Sequence, residues 1–485
     1  MKKTWKKLVC AALAAISVLG LSACTKETVI NAYDIAVKNG FVGTEQEWLQ
    51  SLHGADGADG EDLNIDDVYQ WAQEKGFEGT YLEFLQTLGL EYIENNDTEM
   101  LAQNITSTVE ICCGFTRTVT SSGWGTKSTT YASGSAGSGV IYSVNREKST
   151  AIIITNYHVI YSNSMTVSQG NGQYATVTGV DQTNGISDCV YVYPYGELNY
   201  FSSGDTDGDT VLDGDRGDKN HGIRAHVIGG AMDYDIAILV TDASEEYFGE
   251  NGMATAADLG DSNAATVGEK VYAIGNANGQ GIAITSGALS VESEYITMGK
   301  TDGSNASVRY RVMRTDAAIN HGNSGGGLYN ANGELIGITN AKNVEDETDN
   351  MGYALPITQV KYLVENMLDN RTRGGYVSRA MLGIETLINA SSASIVNGKL
   401  TITEEIIVSS TPEAGAAAYG KLYYGDVLQA VTIKGTRYEL TRNFILPELL
   451  LTVRNGETIT LHIDNQGTAK NVEITFSDSH FTKYA

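Results

Sequence analysis

Ser324 stands in the run His321-Gly322-Asn323-Ser324-Gly325-Gly326-Gly327-Leu328. A serine hydroxyl is a weak nucleophile until a base takes its proton and a fixed acid orients that base. The oxyanion formed by its attack also needs N–H donors already aimed at it. The glycines supply the last condition. If Ser324 attacks a carbonyl, the N–H groups of Gly322 and Ser324 must converge on one oxygen, through backbone angles that glycine reaches freely. His158 ends the buried-looking strand "AIIITNYHV" and is the candidate base. Asp235 opens "DIAILV" after the turn-like "AMDY" and is the candidate acid, able to fix the imidazole tautomer. The chain order His, Asp, Ser is one of three known for this constellation. The competing reading is a glycine-rich turn, a structural histidine and a helix-capping aspartate that share nothing.

These residues need a rigid frame, and the sequence around them reads as one. From about Ile105 to Asp316 short β-rich runs alternate with Gly, Ser, Asn and Asp, among them "AIIITNYHVI", "YDIAILV", "EKVYAIGN" and "VRYRVMRTD". The stretch "GGLYNANGELIGITNA" predicts a hairpin turning at Asn332-Gly333. "PITQVKYLVENML" predicts a helix opened by Pro356, with Ile357, Val360, Leu363, Val364 and Met367 on one face. Many short strands closed by one helix imply an all-β barrel domain over residues 100–370. "NRTRGGY" (370–376) reads as a linker to a smaller mixed unit at 377–480, in which "LTVRNGETITLHI" reads as paired strands around Asn455-Gly456.

The chain has 485 residues, more than one core usually organises. Its 59 acids against 32 bases give a net charge of −27, which excludes nucleic acid as a partner and electrostatic docking on anionic lipid. Residues 1–23 carry four lysines and then an apolar run too short to span a bilayer, the pattern of a secretory signal. The exit Leu21-Ser22-Ala23-Cys24 resembles the lipobox of bacterial lipoproteins. That resemblance implies a lipid-modified Cys24, a tether at 24–31 and an extracytoplasmic protein anchored to the bacterial membrane. An ordinary signal peptide is the alternative. Cys112, Cys113 and Cys189 remain, an odd number, and their pairing stays open.

Residues 32–90 hold an internal repeat: Tyr33, Gly40-Phe41, Gly43-Thr44 and Trp48 recur as Tyr69, Gly76-Phe77, Gly79-Thr80 and Phe84. Each copy predicts two short helices around a Gly-Phe-x-Gly-Thr turn, the second capped by Thr44 with Glu47, or Thr80 with Glu83. The copies resemble short surface modules, and "GADGADGED" between them reads as a spacer.

"TNYHVI", "DIAIL" and "GNSGGGL" together resemble the active-site motifs of the HtrA (Deg) branch of trypsin-like serine proteases. "SAGSGVIY", "AIGNANGQGIAITSGALS", "TDAAINHGNSGG" and "MGYALPITQVKYLVENML" match in the same order, over roughly 105–370. The resemblance implies a chymotrypsin-like double β-barrel, a His158, Asp235, Ser324 triad, an oxyanion hole at Gly322 and Ser324, and a homotrimer. Asn323 replaces the acid that zymogen-type relatives pair with a new N-terminus, so activation by cleavage is not expected. Ala317-Ala318-Ile319 and Ile338–Lys342 imply a shallow apolar pocket, and Asp316 reads as structural.

Two features depart from the motif set. The interval between His158 and Asp235 is long, which predicts an insertion at about 181–222 containing "GDTDGDTVLDGDRGDKNHG". Asp205, Asp207, Asp209, Asp213 and Asp215 there have the near-alternating spacing of calcium loops, without the terminal bidentate Glu. A solvated acidic loop and a Ca2+ site both fit, whereas His221 and His226 lack metal-ligand spacing. The C-terminal unit resembles a PDZ domain. "RAMLGIETL" would place a carboxylate-binding loop at Leu382, Gly383 and Ile384 for C-terminal peptides, and "STPEAGAAAYGKLYYGDVLQAV" is bulkier than the pattern.

The fold expected is therefore mainly β: a double-barrel protease domain, a small PDZ-like α/β domain and short helical repeats. The function expected is an anchored serine endopeptidase that needs no cofactor and acts on unfolded polypeptides. The alternative is a protein-binding scaffold or holdase with a resting protease domain.

Overall fold

The computed structural model describes short segments of the first 96 residues (32–38, 40–44, 48, 69, 72–73, 75, 77 and 84). From Asp97 onward it describes all but 124, 171–172, 198, 200, 203–213, 216–221, 341–350, 397 and 485. Cys24, Glu47, Thr80, Glu83, His221 and the Asp205, Asp207, Asp209, Asp213 group lie outside the described residues. Met1–Asn95 and Asn96–Ala485 are separate compact units.

In the first unit, the Ala32–Lys38 helix precedes the Gly40-Phe41 turn. The Tyr33 ring packs on Phe41 and Trp48, with centroids 6.4 and 6.2 Å away. Tyr69 meets Phe77 and Phe84 at 6.3 and 5.4 Å. The same three positions of each repeat thus build the same aromatic cluster, which is why those letters recur.

The second unit begins with two closed barrels. In the first, β1 (Thr108–Gly123), β2 (Gly125–Asn145), β3 (Thr150–Thr155), β4 (Cys189–Pro194), β5 (Ile223–Ala231) and β6 (Ile236–Thr241) close in the order β1-β2-β3-β6-β5-β4. In the second, β7 (Lys270–Gly275), β8 (Ala283–Gly299), β9 (Ser307–Thr315), β10 (Gly327–Asn330), β11 (Leu335–Asn340) and β12 (Gly352–Pro356) close as β7-β8-β9-β12-β11-β10. The two barrels share one winding.

The runs "AIIIT" and "IAILV" are continuously apolar because both faces of β3 and β6 are covered. Ile153, Ala237 and Leu239 fill the first barrel with Val109, Ile111 and Phe115. Ile154, Ile236 and Ile238 face outward, into a second cluster with Ile274, Ile338 and the helix Ile357–Asp369. That helix buries Ile357, Val360, Leu363, Val364 and Met367, the predicted stripe. The β10–β11 hairpin turns at Asn332-Gly333 as expected, with the Asn330 side chain accepting from the Asn332 and Glu334 N–H groups at 2.9 and 3.0 Å.

Several expectations need correction. His158 does not end a strand: β3 stops at Thr155 and His158 sits in the one-turn helix Tyr157–Ile160. The segment 181–222 is not wholly an insertion. Cys189–Pro194 is β4, paired with β1 and β5, because its alternate residues Val190 and Val192 fill the barrel. Asn455-Gly456 does not join paired strands either, since Leu450–Thr452 before it is a turn of 3-10 helix packed into the core.

In the C-terminal unit, β13 (Val377–Ala380), β14 (Thr386–Val396), β15 (Lys399–Val408), β16 (Val427–Ile433), β17 (Thr436–Glu439), β18 (Thr458–Asn465), β19 (Thr468–Thr475) and β20 (Phe481–Tyr484) follow in chain order. The sheet runs β14-β15-β16-β18-β19, with β17 on β16, and the short helix Ile445–Leu449 packs against it. β20 pairs with β13, so this unit continues past 480 to Tyr484.

The C-terminal unit docks on the second barrel through a buried ion pair that the sequence did not signal. Arg311 of β9 donates to Glu448 Oε1 at 2.5 Å and lies 3.4 Å from the Phe444 ring centroid. Ser293 Oγ and Asn263 Oδ1 take its other donors, each at 3.0 Å. Arg442 extends the seam to Glu292 at 2.9 Å and Glu404 at 3.3 Å. A buried cation stripped of its partner is worse than a buried apolar pair. Glu448→Ala should therefore destabilise the docked unit by about 3–5 kcal/mol, and the double variant Arg311→Met/Glu448→Leu by clearly less. Thermal unfolding of the three proteins checks this ordering.

Candidate active site

Each candidate residue sits on a short connection at the seam between the barrels. His158 follows β3. Asp235 ends the 3-10 turn Met232–Tyr234 that leads into β6, at φ 52° and ψ 39°. Aspartate is one of the few residues that accepts this left-handed conformation, and it turns the carboxylate back toward β3. Ser324 lies in the loop between β9 and β10.

Asp235 is completely buried. Its Oδ1 accepts the His158 backbone N–H at 3.0 Å, and its Oδ2 lies 2.7 Å from His158 Nδ1. The backbone and ring of one histidine are thereby fixed by one carboxylate, leaving Nε2 as the working nitrogen. Two contacts on the aspartate come from residues the sequence reading passed over. Asn340 Nδ2, on β11 of the second barrel, donates to Asp235 Oδ2 at 2.9 Å. Asn156 Nδ2 donates to the Asp235 carbonyl at 2.9 Å. No sequence signal marked Asn340, because its partner is 105 residues away.

The Ser324 loop is held from the opposite barrel by Ser138 of β2. The Ser138 N–H donates to the Ser324 carbonyl at 2.8 Å, and its hydroxyl donates to the Gly322 carbonyl at 2.7 Å. The same hydroxyl accepts the Asn276 N–H at 2.8 Å. Ser138 belongs to "SAGSGVIY", so the motif was visible in the sequence although its task was not. On the other side Thr339 grips the loop: its hydroxyl donates to the Asn323 carbonyl at 2.6 Å, and its carbonyl accepts from Gly325 N–H at 2.9 Å.

The Gly322 N–H has a defined direction. The His321 carbonyl accepts from Asn278 N–H at 2.6 Å. In a trans peptide the following N–H points the opposite way, so Gly322 directs its donor away from Asn278. Gly322 is at φ +92°, and a Cβ there would stand 2.1 Å from the Asn276 carbonyl oxygen.

Asn323 is buried, and its side-chain amide donates to the Ala318 carbonyl at 3.4 Å. Its Oδ1 has no hydrogen-bond partner among the described residues. Ala317 and Ile338 are buried beside the loop. Asp316 is turned to a structural task, accepting the Ala288 N–H at 2.6 Å.

The remaining candidates lie elsewhere. Cys112, Cys113 and Cys189 are buried, and burial pushes the Cys113 thiol well above its usual range. Exposed His226 pairs with Asp242 at 3.0 Å. Leu382, Gly383 and Ile384 line a cavity of about 150 Å³ with Ile406, Leu428 and Leu446. The bulky tyrosines of the neighbouring loop do not line it: Tyr419, Tyr423 and Tyr424 are exposed, while Ala418 and Leu422 are buried.

Residues 137–338 match the trypsin-like peptidase domain. The Bacillus subtilis serine protease Do-like HtrB is 38% identical over 34% of this chain and 33% of its own length. The Lactococcus lactis serine protease Do-like HtrA is 27% identical over 71% of this chain and 72% of its own. The Escherichia coli periplasmic serine endoprotease DegP is 34% identical over 46% of this chain and 44% of its own. The chain thus spans from about a third to about seven tenths of the length of these relatives.

Gly325 offers a direct test of how tightly the loop is held. It sits at φ +86°, and a Cβ would lie 2.1 Å from the Ser138 carbonyl oxygen. Gly325→Ala should lower the thermal midpoint by several degrees, as a strained backbone costing about 1–3 kcal/mol does. An unchanged midpoint in differential scanning calorimetry would show that the loop yields freely.

Proposed function

We propose that this chain, with its trypsin-like peptidase domain and its HtrA and DegP serine protease relatives, is an extracytoplasmic serine endopeptidase acting on unfolded or misfolded polypeptides. The observation that carries the reading is the buried Asp235 carboxylate bound to both the backbone and the ring of His158. A histidine so fixed is a poised base, and Ser324 lies on a loop gripped from both barrels.

In this mechanism His158 Nε2 takes the Ser324 hydroxyl proton as Oγ attacks the scissile carbonyl. Asp235 holds the imidazole in the tautomer that leaves Nε2 free, and stabilises the imidazolium once formed. The N–H groups of Gly322 and Ser324 receive the oxyanion. His158 then gives the proton to the leaving amine, an acyl-enzyme remains on Ser324, and water activated by the same histidine releases it. No cofactor enters.

The other parts are read as placing the protease. Cys24 is the proposed lipid anchor on the bacterial membrane, and the repeats space the enzyme from it. In the C-terminal unit, the pocket at Leu382-Gly383-Ile384 opens beside β14, an edge strand exposed along its whole length. An extended peptide could pair with that edge and seat its C-terminal side chain among Ile406, Leu428 and Leu446.

Hydrolysis of fluorescent casein by the full chain and by Ser324→Ala tests the reading. The variant should lose at least a thousandfold in rate, the scale on which a missing nucleophile is felt. Equal rates would instead favour a binding protein with a resting barrel.

Specificity is tested separately. Asp316 is tied to Ala288, and the described residues beside the loop, Ala317 and Ile338, are apolar and buried. Peptides with Val before the scissile bond should be cleaved at least tenfold faster than those with Arg, since a buried unpaired guanidinium costs more than the lost apolar contact. Faster cleavage after Arg would refute the pocket assignment.

A further inference from the structure

The turn between β8 and β9 reaches from the second barrel to the first. It closes on itself through Lys300 N–H to the Ala306 carbonyl at 2.9 Å and Gly303 N–H to the Lys300 carbonyl at 3.2 Å. Two of its residues then grip the first barrel. Lys300 Nζ lies 3.2 Å from Asp233 Oδ1, both groups only about three tenths exposed. The Asp302 carbonyl accepts from Asn163 Nδ2.

The two gripped residues stand at informative places. Asp233 belongs to the 3-10 turn Met232–Tyr234 that Asp235 follows directly. Asn163 follows the one-turn helix Tyr157–Ile160 that carries His158, and its carbonyl is taken by Gly179 N–H at 2.6 Å. One turn of the second barrel therefore holds, with separate contacts, the two first-barrel segments that carry the proposed base and its orienting acid. The buried Tyr310 of β9, on the same hairpin, feels both Asp235 and Asp233 as neighbouring charges.

We infer that the Lys300–Gly303 turn is a clasp setting the orientation and charge of the His158–Asp235 pair, with Lys300 and Asn163 as positioning residues for the proposed hydrolysis. The assignment rests on the triad reading above. Lys300 does two things in it. It pulls the Asp233 turn toward the second barrel, and it neutralises a carboxylate that would otherwise add a second negative charge beside Asp235.

The charged groups at these contacts include Asp235, Asp233, Lys300 and Asp302, together with Arg379, which donates to the Tyr234 hydroxyl at 3.0 Å, while Glu292, Glu294, Arg309, Arg311 and Arg314 lie further along β8 and β9. The Tyr157, Tyr161 and Tyr310 hydroxyls are raised by burial above their usual 10 and stay neutral over the working range. Removing the Lys300 charge leaves Asp233 uncompensated. The added negative potential beside Asp235 disfavours the neutral ring that catalysis needs. The acid limb of kcat/KM must then move to higher pH.

The test uses the full chain and initial rates of fluorescent casein hydrolysis between pH 5 and 9. Lys300→Ala should move the acid limb up by on the order of 0.3 pH unit, the size of one screened charge. Asp233→Asn should move it down by a similar amount, and the double variant should return to wild type. Lys300→Arg should keep the wild-type profile. Asn163→Ala should lower kcat by up to about tenfold at unchanged KM, as misplacement of a catalytic group does. An acid limb that stays put in both single charge variants, while Ser324→Ala abolishes hydrolysis, overturns the clasp alone. Hydrolysis that survives Ser324→Ala overturns the triad reading and the clasp with it.

Discussion

A carboxylate taken wholly out of water governs the centre of this molecule. Asp235 has no exposed surface, and a buried charge is tolerated only when donors replace the water it has lost. Those donors come from both barrels: the His158 backbone and ring from the first, and Asn340 from the second. Satisfying one aspartate therefore fixes how the barrels sit against each other. Ser138 repeats the logic in reverse. It is a first-barrel residue whose N–H and hydroxyl hold two carbonyls of the second barrel's Ser324 loop. The site is thus a set of cross-barrel hydrogen bonds and not a feature of either barrel alone.

Apolar packing makes that seam permanent. β3 and β6 present one face to the first barrel's interior and the other to the cluster shared with the second barrel and the Ile357–Asp369 helix. The helix extends the same packing into the C-terminal unit. Its buried Asn366 accepts the Ser378 N–H at 2.9 Å and donates to the Ser378 and Leu451 carbonyls at 2.7 and 2.8 Å. Val377 and Leu451 join its apolar face. Short connections at the ends of such strands are rigid by inheritance, which is what a catalytic constellation requires.

The contact between the second barrel and the C-terminal unit follows a different rule. Arg311 and Glu448 are buried together, and burial pushes the Glu448 carboxyl up despite its cationic partner. Such a pair adds little net stability over an apolar substitute, yet it strongly disfavours any register that separates its members. It sets where the unit docks more than how firmly. The same β9 strand carries Arg311 at the docking seam and leads back to the clasp at Lys300, so one hairpin touches both the C-terminal unit and the first barrel.

The sequence by itself determined the local chemistry. His158, Asp235 and Ser324, the glycines around the serine, the Asn332-Gly333 hairpin and the amphipathic helix are each written in a few consecutive residues. Periodicity and turn chemistry act over that range, and so they were legible. The repeat was legible too, because the same aromatic positions rebuild the same cluster. The tertiary structure alone decided what the sequence could not express. Asn340 and Ser138 are polar residues in strands, and nothing in their neighbours says whose donors they are until the barrels close. β4 read as part of an insertion because its strand character depends on β1 and β5, which lie far away in sequence. Arg311 and Glu448 are ordinary charges until docking strips them of water. Bonds that span the chain have no local signature, and here they are the ones that fix His158 on Asp235 and hold the Ser324 loop from both barrels.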